Sequence, residues 1–456
     1  MKINCRRAMA WLLVLLFSIG MIAEVFAEEG QSPEQMQEES PEEDTLSETA
    51  DPAEDPQIAE EGPDEDLTEG STDEPIEGPT EDPTDEPTED PDPVYDLKDA
   101  EIGPIEALKY NGTERRPTIT VMYGDRTLIE GVDYELIYEN NINAGKKARV
   151  RVTGIGQYSG SISKYFKIKR VYNKITLSNV TRPYTVRKQS FYLRPQLIDT
   201  AAKLTYTSNT TKVKVNSKGK VTIAKEFIGT AKITVTCEET RNAATTTKTI
   251  KVTVKAPVLA GKALIQKYMT KNPKYKAKIP LEVKGLMLHS VNCPQPSALV
   301  FIKNWNDPGY TSASIHAFID ANTGEVYQTL PWTIQANHCW KGPKGCGNEM
   351  YIGVEMCESS YIEWVRWNKI KCSNKKKARA AVKRTYKSAV DLFAMLCVQF
   401  DLDPMKKGVI ISHNEGNLMG IASDRGDPEN IWKLLGVNYT MDGFRKAVKK
   451  AMQKYK

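Results

Sequence analysis

The chain has 456 residues, of which 40% are hydrophobic and 27% charged, and its mean hydropathy is −0.47. This length suffices for about three ordinary domains, and the composition predicts a soluble product rather than a membrane-embedded one. The net charge of +3 hides a segregation: residues 28–93 carry 28 acidic and no basic side chains, whereas residues 94–456 carry 59 Lys and Arg against 30 Asp and Glu. A basic body of this kind attracts polyanions, and the absence of a nucleic-acid-binding motif argues against nucleic acid as the partner.

Residues 1–27 have the pattern of a secretory signal peptide. Three basic residues precede an apolar run from Ala8 to Ile22, and Val25-Phe26-Ala27 offers small residues for cleavage after Ala27. A retained anchor is the alternative, but the run is short for a membrane span. We therefore expect a secreted or wall-associated protein without a membrane partner after signal removal.

Residues 28–94 are rich in Glu, Asp, Pro and Thr, as in Glu81-Asp82-Pro83-Thr84-Asp85-Glu86-Pro87. A segment with low hydrophobicity and one sign of charge cannot offset the entropy lost on ordering. The composition therefore predicts an extended, disordered acidic linker.

Two all-β units are predicted next, at residues 95–170 and 171–255. Short alternating runs such as Tyr134 to Tyr138 and Ala148 to Val152, separated by Gly-rich turns, predict antiparallel sandwiches. Through Gly131-Val132-Asp133-Tyr134 and Gly154 to Gly160, the first unit resembles a repeat of secreted wall proteins of Gram-positive bacteria. Through Tyr206 to Ser208, Val215 to Thr222 and Gly229 to Val235, the second resembles bacterial immunoglobulin-like domains of group 2. Neither unit contains a histidine, so both are interpreted as spacers or wall-binding modules.

Residues 256–456 have a mixed pattern that predicts an α/β domain with a central mixed sheet flanked by helices. The predicted helices are Ala260 to Met269, Ser297 to Trp305, Lys376 to Phe400 and about Met441 to Lys454. The predicted strands are Val283 to Leu288, Ser314 to Asp320, Val326 to Leu330, Tyr351 to Met356 and Val409 to Ile411.

The histidines point to a metal site in this last domain. All four histidines of the chain, His289, His316, His338 and His413, lie within one 125-residue span. His289 and His413 each follow a short apolar strand, and Asp427 follows fourteen residues after His413. Two imidazoles and one carboxylate form the ligand set of a catalytic zinc ion, with a fourth position left for water.

The residues around these histidines resemble those of the zinc-dependent N-acetylmuramoyl-L-alanine amidases related to peptidoglycan recognition proteins. The resemblance rests on blocks in the same order along about 150 residues: Leu286-Met287-Leu288-His289, Ser314 to Asp320, Tyr351 to Glu358, Ile411 to Gly416 and Ala422 to Pro428. It departs at Arg425, where these amidases usually have Lys or His.

The resemblance implies roles for further residues. Glu355 matches the acidic position of the family and is expected to act as the proton shuttle, with Glu358 as the fallback base. Arg425 is expected to stabilise the charge that develops on the scissile carbonyl oxygen. His338 matches a family histidine near the substrate cleft and is expected to bind substrate.

Together these expectations describe a secreted autolysin-type hydrolase that cleaves the amide bond between N-acetylmuramic acid and L-alanine with a zinc-activated water. Its partners would be peptidoglycan and, through the basic body, anionic wall polymers. The alternative is a non-catalytic peptidoglycan-binding or wall-adhesion protein that uses the amidase-like and immunoglobulin-like domains. The presence of all three ligands and an acid favours the enzyme.

Seven cysteines remain after signal removal, so they cannot all pair with one another. Cys339 and Cys346 could close a short loop by a disulfide bond. The sequence alone does not assign the pairing.

Overall fold

The computed structural model describes residues 94–456. The predicted signal peptide and nearly all of the predicted acidic linker lie outside these residues. Within residues 94–456, no helix has both the length and the apolar character needed to cross a membrane.

The first part of the described chain is all-β, as predicted. A three-stranded and a four-stranded sheet form here, and alternation along Gly145–Gly154 buries Ala148, Val150 and Val152 between polar neighbours. A single 3-10 turn, Leu97–Asp99, lies among the strands. The strands are Tyr95–Asp96, Ala100–Ile102, Leu108–Lys109, Val121–Tyr123, Arg126–Thr127, Tyr134–Glu139, Gly145–Gly154, Tyr158–Ser159 and Ser161–Lys169.

The second part is also all-β and again has a three-stranded and a four-stranded sheet. Val221 from the smaller sheet and Ile233 and Ile250 from the larger one are fully buried in one apolar cluster, so the two sheets share a core in the manner of a sandwich. The strands are Val171–Tyr172, Val180–Arg182, Gln189–Tyr192, Leu204–Ser208, Val213–Val215, Lys220–Ile223, Gly229–Cys237, Ala243–Ala244 and Thr246–Val254.

The C-terminal part has a six-stranded mixed sheet and six α-helices. The sheet order is Ile265–Gln266, Val326–Gln328, Ala317–Ile319, Tyr351–Met356, Gly285–Ser290 and Ile410–Ser412. Three hairpins lie outside it: Val258–Leu259 with Lys262–Ala263, Lys341–Gly342 with Gly345–Cys346, and Ile362–Arg366 with Lys369–Cys372. The helices are Pro273–Ala277, Ala298–Trp305, Lys375–Phe400, His413–Leu418, Glu429–Leu435 and Met441–Ala451, with 3-10 turns at Gly347–Glu349 and Met452–Lys454.

The last three strands of the sheet order are parallel to one another. Parallel strands bury both faces and therefore require apolar residues throughout, and Gly285–Ser290 is buried at all six positions. The helix Lys375–Phe400 covers the sheet with the predicted apolar stripe, which includes Ala378, Ala389 and Phe393, while most of its lysines are exposed.

The predicted helix from Ala260 to Met269 is wrong. The segment instead forms the paired strands Val258–Leu259 and Lys262–Ala263 and then the edge strand Ile265–Gln266. Ala260 and Gly261 have φ values of 48° and 87°, which turn the chain back on itself and cannot occur inside a right-handed helix. The Ala260 N–H also donates to Asp391 Oδ2 at 2.9 Å, which fixes the turn against the long helix.

Among the described residues, six cysteines are free thiols: Cys237, Cys339, Cys346, Cys357, Cys372 and Cys397. The loop-closing bond considered for Cys339 and Cys346 is therefore not formed. Burial raises the pKa of the Cys339 thiol to about 12, so this thiol stays protonated and unreactive at neutral pH.

The second β unit packs directly on the C-terminal domain. One continuous apolar cluster contains residues of both, among them Val221 and Trp332. Trp332 Nε1 donates to Tyr184 Oη at 2.8 Å across this contact. The boundary predicted at residue 255 remains a prediction, since the described residues belong to one compact unit.

Glu226 is the buried polar centre of this contact. Its carboxylate accepts hydrogen bonds from Gln328 Nε2 at 2.6 Å, from the Trp332 backbone N–H at 3.2 Å and from Tyr268 Oη at 3.4 Å. Burial raises the pKa of Glu226. The backbone of Glu226 has a φ of 58°, so the residue lies in a left-handed turn. A carboxylate of one domain thus satisfies three donors of the other.

We predict that Glu226→Ala destabilises the described chain by about 1–3 kcal/mol, because buried donors would lose their acceptor. Chemical denaturation followed by tryptophan fluorescence measures the change. The control is Glu239→Ala in the same β unit, because Glu239 forms an exposed pair with Arg170 and such pairs contribute little. Equal stability of the two variants would contradict the role given to Glu226.

Candidate metal centre and active site

The parallel strands bring two of the predicted ligands to one edge of the sheet. The register pairs His289 with Glu355 on one side of the central strand and Leu288 with Ser412 on the other. Ser412 then caps a short helix through a reciprocal pair of bonds with Glu415. The chain therefore changes from strand to helix at His413, and this turn directs its ring toward His289.

His289, His413 and Asp427 form a compact buried trio. The Nδ1 atoms of the two histidines lie 3.0 Å apart. Asp427 Oδ2 lies 3.5 Å from the first Nδ1, and Oδ1 lies 3.7 Å from the second. One ligand atom from each residue falls within 4.8 Å of the others, which is close enough for a single metal ion.

His338 determines which nitrogen of His289 is protonated. His338 Nε2 lies 3.1 Å from the Tyr351 carbonyl oxygen, and its Nδ1 lies 2.9 Å from His289 Nε2. A carbonyl can only accept, so His338 carries its proton on Nε2 and accepts at Nδ1 from the Nε2–H of His289. The Nδ1 of His289 consequently keeps its lone pair for a metal.

The surroundings keep the rings of His338 and His413 neutral. Burial lowers the pKa of His338 well below its usual value and that of His413 to about 4. His413 Nε2 lies 3.3 Å from Ser423 Oγ, which again leaves Nδ1 facing the trio. The ring of His338 also fills the space above Gly353, where a Cβ would lie 2.5 Å from a ring atom.

Asp427 is held in its charged form. The Ser290 N–H donates to Oδ2 at 3.2 Å, and Asn292 Nδ2 donates to Oδ1 at 3.3 Å. Burial acts to raise the pKa of Asp427, but the contacts with His289, His413 and the Ser290 N–H outweigh it and hold the pKa below its usual value.

Glu355 lies beside the trio with one oxygen unpaired. The residue is partly exposed, but its Oε2 is buried and has no hydrogen-bond partner among the described residues. Burial, followed by repulsion from the Asp427 and Glu358 carboxylates, raises the pKa of Glu355 well above its ordinary value, and Arg425 opposes this. A carboxyl group in this setting has a high affinity for protons.

Glu358 differs from Glu355 because both of its oxygens are occupied. Oε1 accepts from Ser290 Oγ at 3.0 Å and from the Asn292 N–H at 3.2 Å, and Oε2 accepts from Trp364 Nε1 at 2.7 Å. Burial raises its pKa to about 7. These bonds connect the strand that carries His289 to a hairpin beyond the sheet.

Arg425 and His316 occupy different surroundings. Arg425 is exposed and lines a cleft of about 710 Å³ next to the trio.

His316 is fully buried, with Nε2 at 2.9 Å from the Ile334 carbonyl oxygen and Nδ1 accepting from the Gly353 N–H at 3.0 Å. Its ring therefore supports the backbone of neighbouring strands.

Two features escaped the sequence analysis. One is the contact of His338 with His289, for which the sequence contains no local signal, because the residues are 49 positions apart. The other is the hairpin Ile362–Cys372, whose residues Trp364 to Trp367 line the cleft. The sequence did contain a signal for this hairpin, because Ile362 and Trp364 alternate with polar residues and Asn368 suits a turn.

Comparisons with known proteins agree with this site. Residues 280–430 match the family described as N-acetylmuramoyl-L-alanine amidase. No curated protein matches the chain in sequence.

Solved structures resemble separate parts of the chain. A mutant endolysin from Bacillus subtilis is 20% identical, with a TM-score of 0.28, over 41% of this chain and 97% of that one. PlyL is 19% identical, with a TM-score of 0.29, over 41% and 98%. Tandem Ig repeats of Dlar are 13% identical, with a TM-score of 0.15, over 35% and 98%. Scores this low carry no argument about function.

The family match covers the strands and loops that carry His289, Glu355, His413 and Asp427. Residues 280–430, within the C-terminal domain, therefore match the N-acetylmuramoyl-L-alanine amidase family.

Proposed function

We propose that the chain is a secreted, zinc-dependent peptidoglycan hydrolase that cleaves the amide bond between N-acetylmuramic acid and L-alanine. The observation that carries the zinc proposal is the convergence of two imidazole Nδ1 atoms and a charged carboxylate in one buried place. Neutral imidazoles and a carboxylate suit zinc in both donor type and number. The family match supports the choice of substrate.

A zinc ion bound by His289, His413 and Asp427 would supply Lewis acidity for the scissile carbonyl and lower the pKa of water. The side chains of the domain do the rest. Glu355 takes a proton from the attacking water and delivers it to the leaving nitrogen, for which its raised pKa suits it. Arg425 donates to the carbonyl oxygen as negative charge develops there, and its guanidinium stays charged throughout.

The geometry around His338 supports a positioning role. Both of its ring nitrogens are engaged within the protein, one with His289 and one with the Tyr351 carbonyl oxygen. A direct bond to substrate would require one of these contacts to break. We therefore propose that His338 holds the metal-binding tautomer of His289 rather than binding substrate.

The rival function, peptidoglycan binding without hydrolysis, would not require a buried carboxylate with an unpaired oxygen beside the trio. Such a group costs stability and is retained here at Glu355. The excess of basic side chains in residues 94–456 supports a further attraction to anionic wall polymers.

We predict that Asp427→Ala removes zinc from the purified full-length chain, because the trio loses its only charged ligand. Asp424→Ala is the matched control, since Asp424 lies in the same loop but is exposed and bonded to Asn417. Elemental analysis decides the question. Undiminished zinc in Asp427→Ala would refute the ligand assignment.

We predict that Glu355→Gln keeps zinc but lowers turnover on peptidoglycan by roughly a hundredfold or more, the usual scale for general acid–base catalysis. Glu358→Gln should have a smaller effect on turnover, because Glu358 is already committed to Ser290, Asn292 and Trp364. If Glu355→Gln hydrolyses normally while Glu358→Gln does not, the base is Glu358.

We predict that His338→Ala weakens zinc binding by roughly ten- to a hundredfold, as is typical when the outer partner of a ligating histidine is lost. His338→Gln, whose amide oxygen can accept the same bond, should restore part of the affinity. Competition with a chromogenic chelator measures both. Unchanged affinity in His338→Ala would favour the substrate-binding role instead.

A further inference from the structure

The hairpin Ile362–Cys372 forms one wall of the cleft beside the trio. The opposite wall consists of residues adjoining the proposed ligands: Asn292 lies three residues after His289, Asn414 directly follows His413, and Gly426 directly precedes Asp427. The cleft, of about 710 Å³, therefore adjoins the site where the amide bond would be cut.

Trp367 stands at the turn of this hairpin with 75% of its surface exposed. Exposed indole rings are unusual in a folded domain, because burial of so large an apolar group is favourable. Here the ring lines the cleft instead of packing into the core. Its flat face is available to a ligand.

Hydrogen bonds and a buried side chain fix the hairpin to the rest of the domain. Trp364 Nε1 donates to Glu358 Oε2 at 2.7 Å, Ile362 is buried, and the Ser373 N–H donates to the Tyr361 carbonyl oxygen at 2.9 Å. A side chain presented from a fixed hairpin loses little entropy on binding a ligand. Trp367 is therefore already positioned for stacking before a ligand binds.

The polar groups of the cleft suit a sugar. Three amide side chains, Asn292, Asn414 and Asn430, line it together with Trp367. Asn292 already donates to Asp427 and accepts from Asn430, but an amide has two N–H groups and two oxygen lone pairs, so each can still bond sugar hydroxyl and N-acetyl groups. The C–H groups on one face of a pyranose ring pack on the electron-rich face of an indole.

We propose that this cleft is a saccharide subsite in which the muramoyl sugar, or the sugar next to it in the glycan strand, stacks on Trp367. This inference rests on the proposed function, since only an amidase cutting next to muramic acid needs a sugar one lactyl group away from the metal site. The hairpin then selects glycan-attached substrate over free peptide.

The test is calorimetric titration of the full-length chain with the disaccharide N-acetylglucosaminyl-N-acetylmuramic acid and, separately, with a free stem peptide. The disaccharide has no scissile amide, so its binding is measured without turnover. We expect Trp367→Ala to weaken disaccharide binding by roughly tenfold or more and to leave stem-peptide binding unchanged. Trp367→Phe, which keeps an aromatic face, should bind within a few-fold of the unaltered chain.

With peptidoglycan as substrate, Trp367→Ala should raise KM and leave kcat unchanged. Equal disaccharide affinity in Trp367→Ala, or a loss confined to the stem peptide, would overturn the saccharide assignment while the hydrolase could still stand. A chain that binds the disaccharide through Trp367 but does not cut peptidoglycan would instead refute the proposed hydrolysis. Unchanged thermal unfolding midpoints would show that the variants are folded.

Discussion

Three electron-rich atoms converge in a buried place, and the rest of the C-terminal domain is arranged around that constraint. The Nδ1 atoms of two imidazoles lie 3.0 Å apart, and the Asp427 carboxylate adds negative charge at 3.5 and 3.7 Å from them. In a low-dielectric interior such an arrangement favours a positive charge at its centre. The outer bond to His338, whose other nitrogen donates to the Tyr351 carbonyl oxygen, keeps the protonated nitrogen of His289 turned away from this centre.

The sheet provides the precision that this arrangement needs. Because parallel strands deliver their ends to one edge, a single register places His289 beside Glu355 and next to the strand that leads to His413. The second β unit then docks on the far part of the domain through Glu226. It is more than a loose spacer, because a buried carboxylate satisfied by the other domain fixes the contact.

Much of this could be predicted from the sequence because it depends on local patterns. Strand-terminal histidines, the apolar stripe of Lys375–Phe400 and the alternation within the β units are all visible as periodicity. Contacts between distant segments were not predictable in this way, as His338 with His289 illustrates. The error at Ala260 to Met269 arose because helical spacing of apolar residues concealed a turn with positive φ at Ala260 and Gly261.

We propose that the buried trio makes this chain a metal-dependent amidase that acts next to muramic acid. The most direct measurement is the identification of new chemical ends after purified peptidoglycan is incubated with the full-length chain, with chelator and after zinc is restored. We expect new N-terminal L-alanine without new reducing sugar ends, and we expect this product to be abolished by the chelator and recovered with zinc. New reducing ends, other new amino termini or insensitivity to the chelator would contradict it.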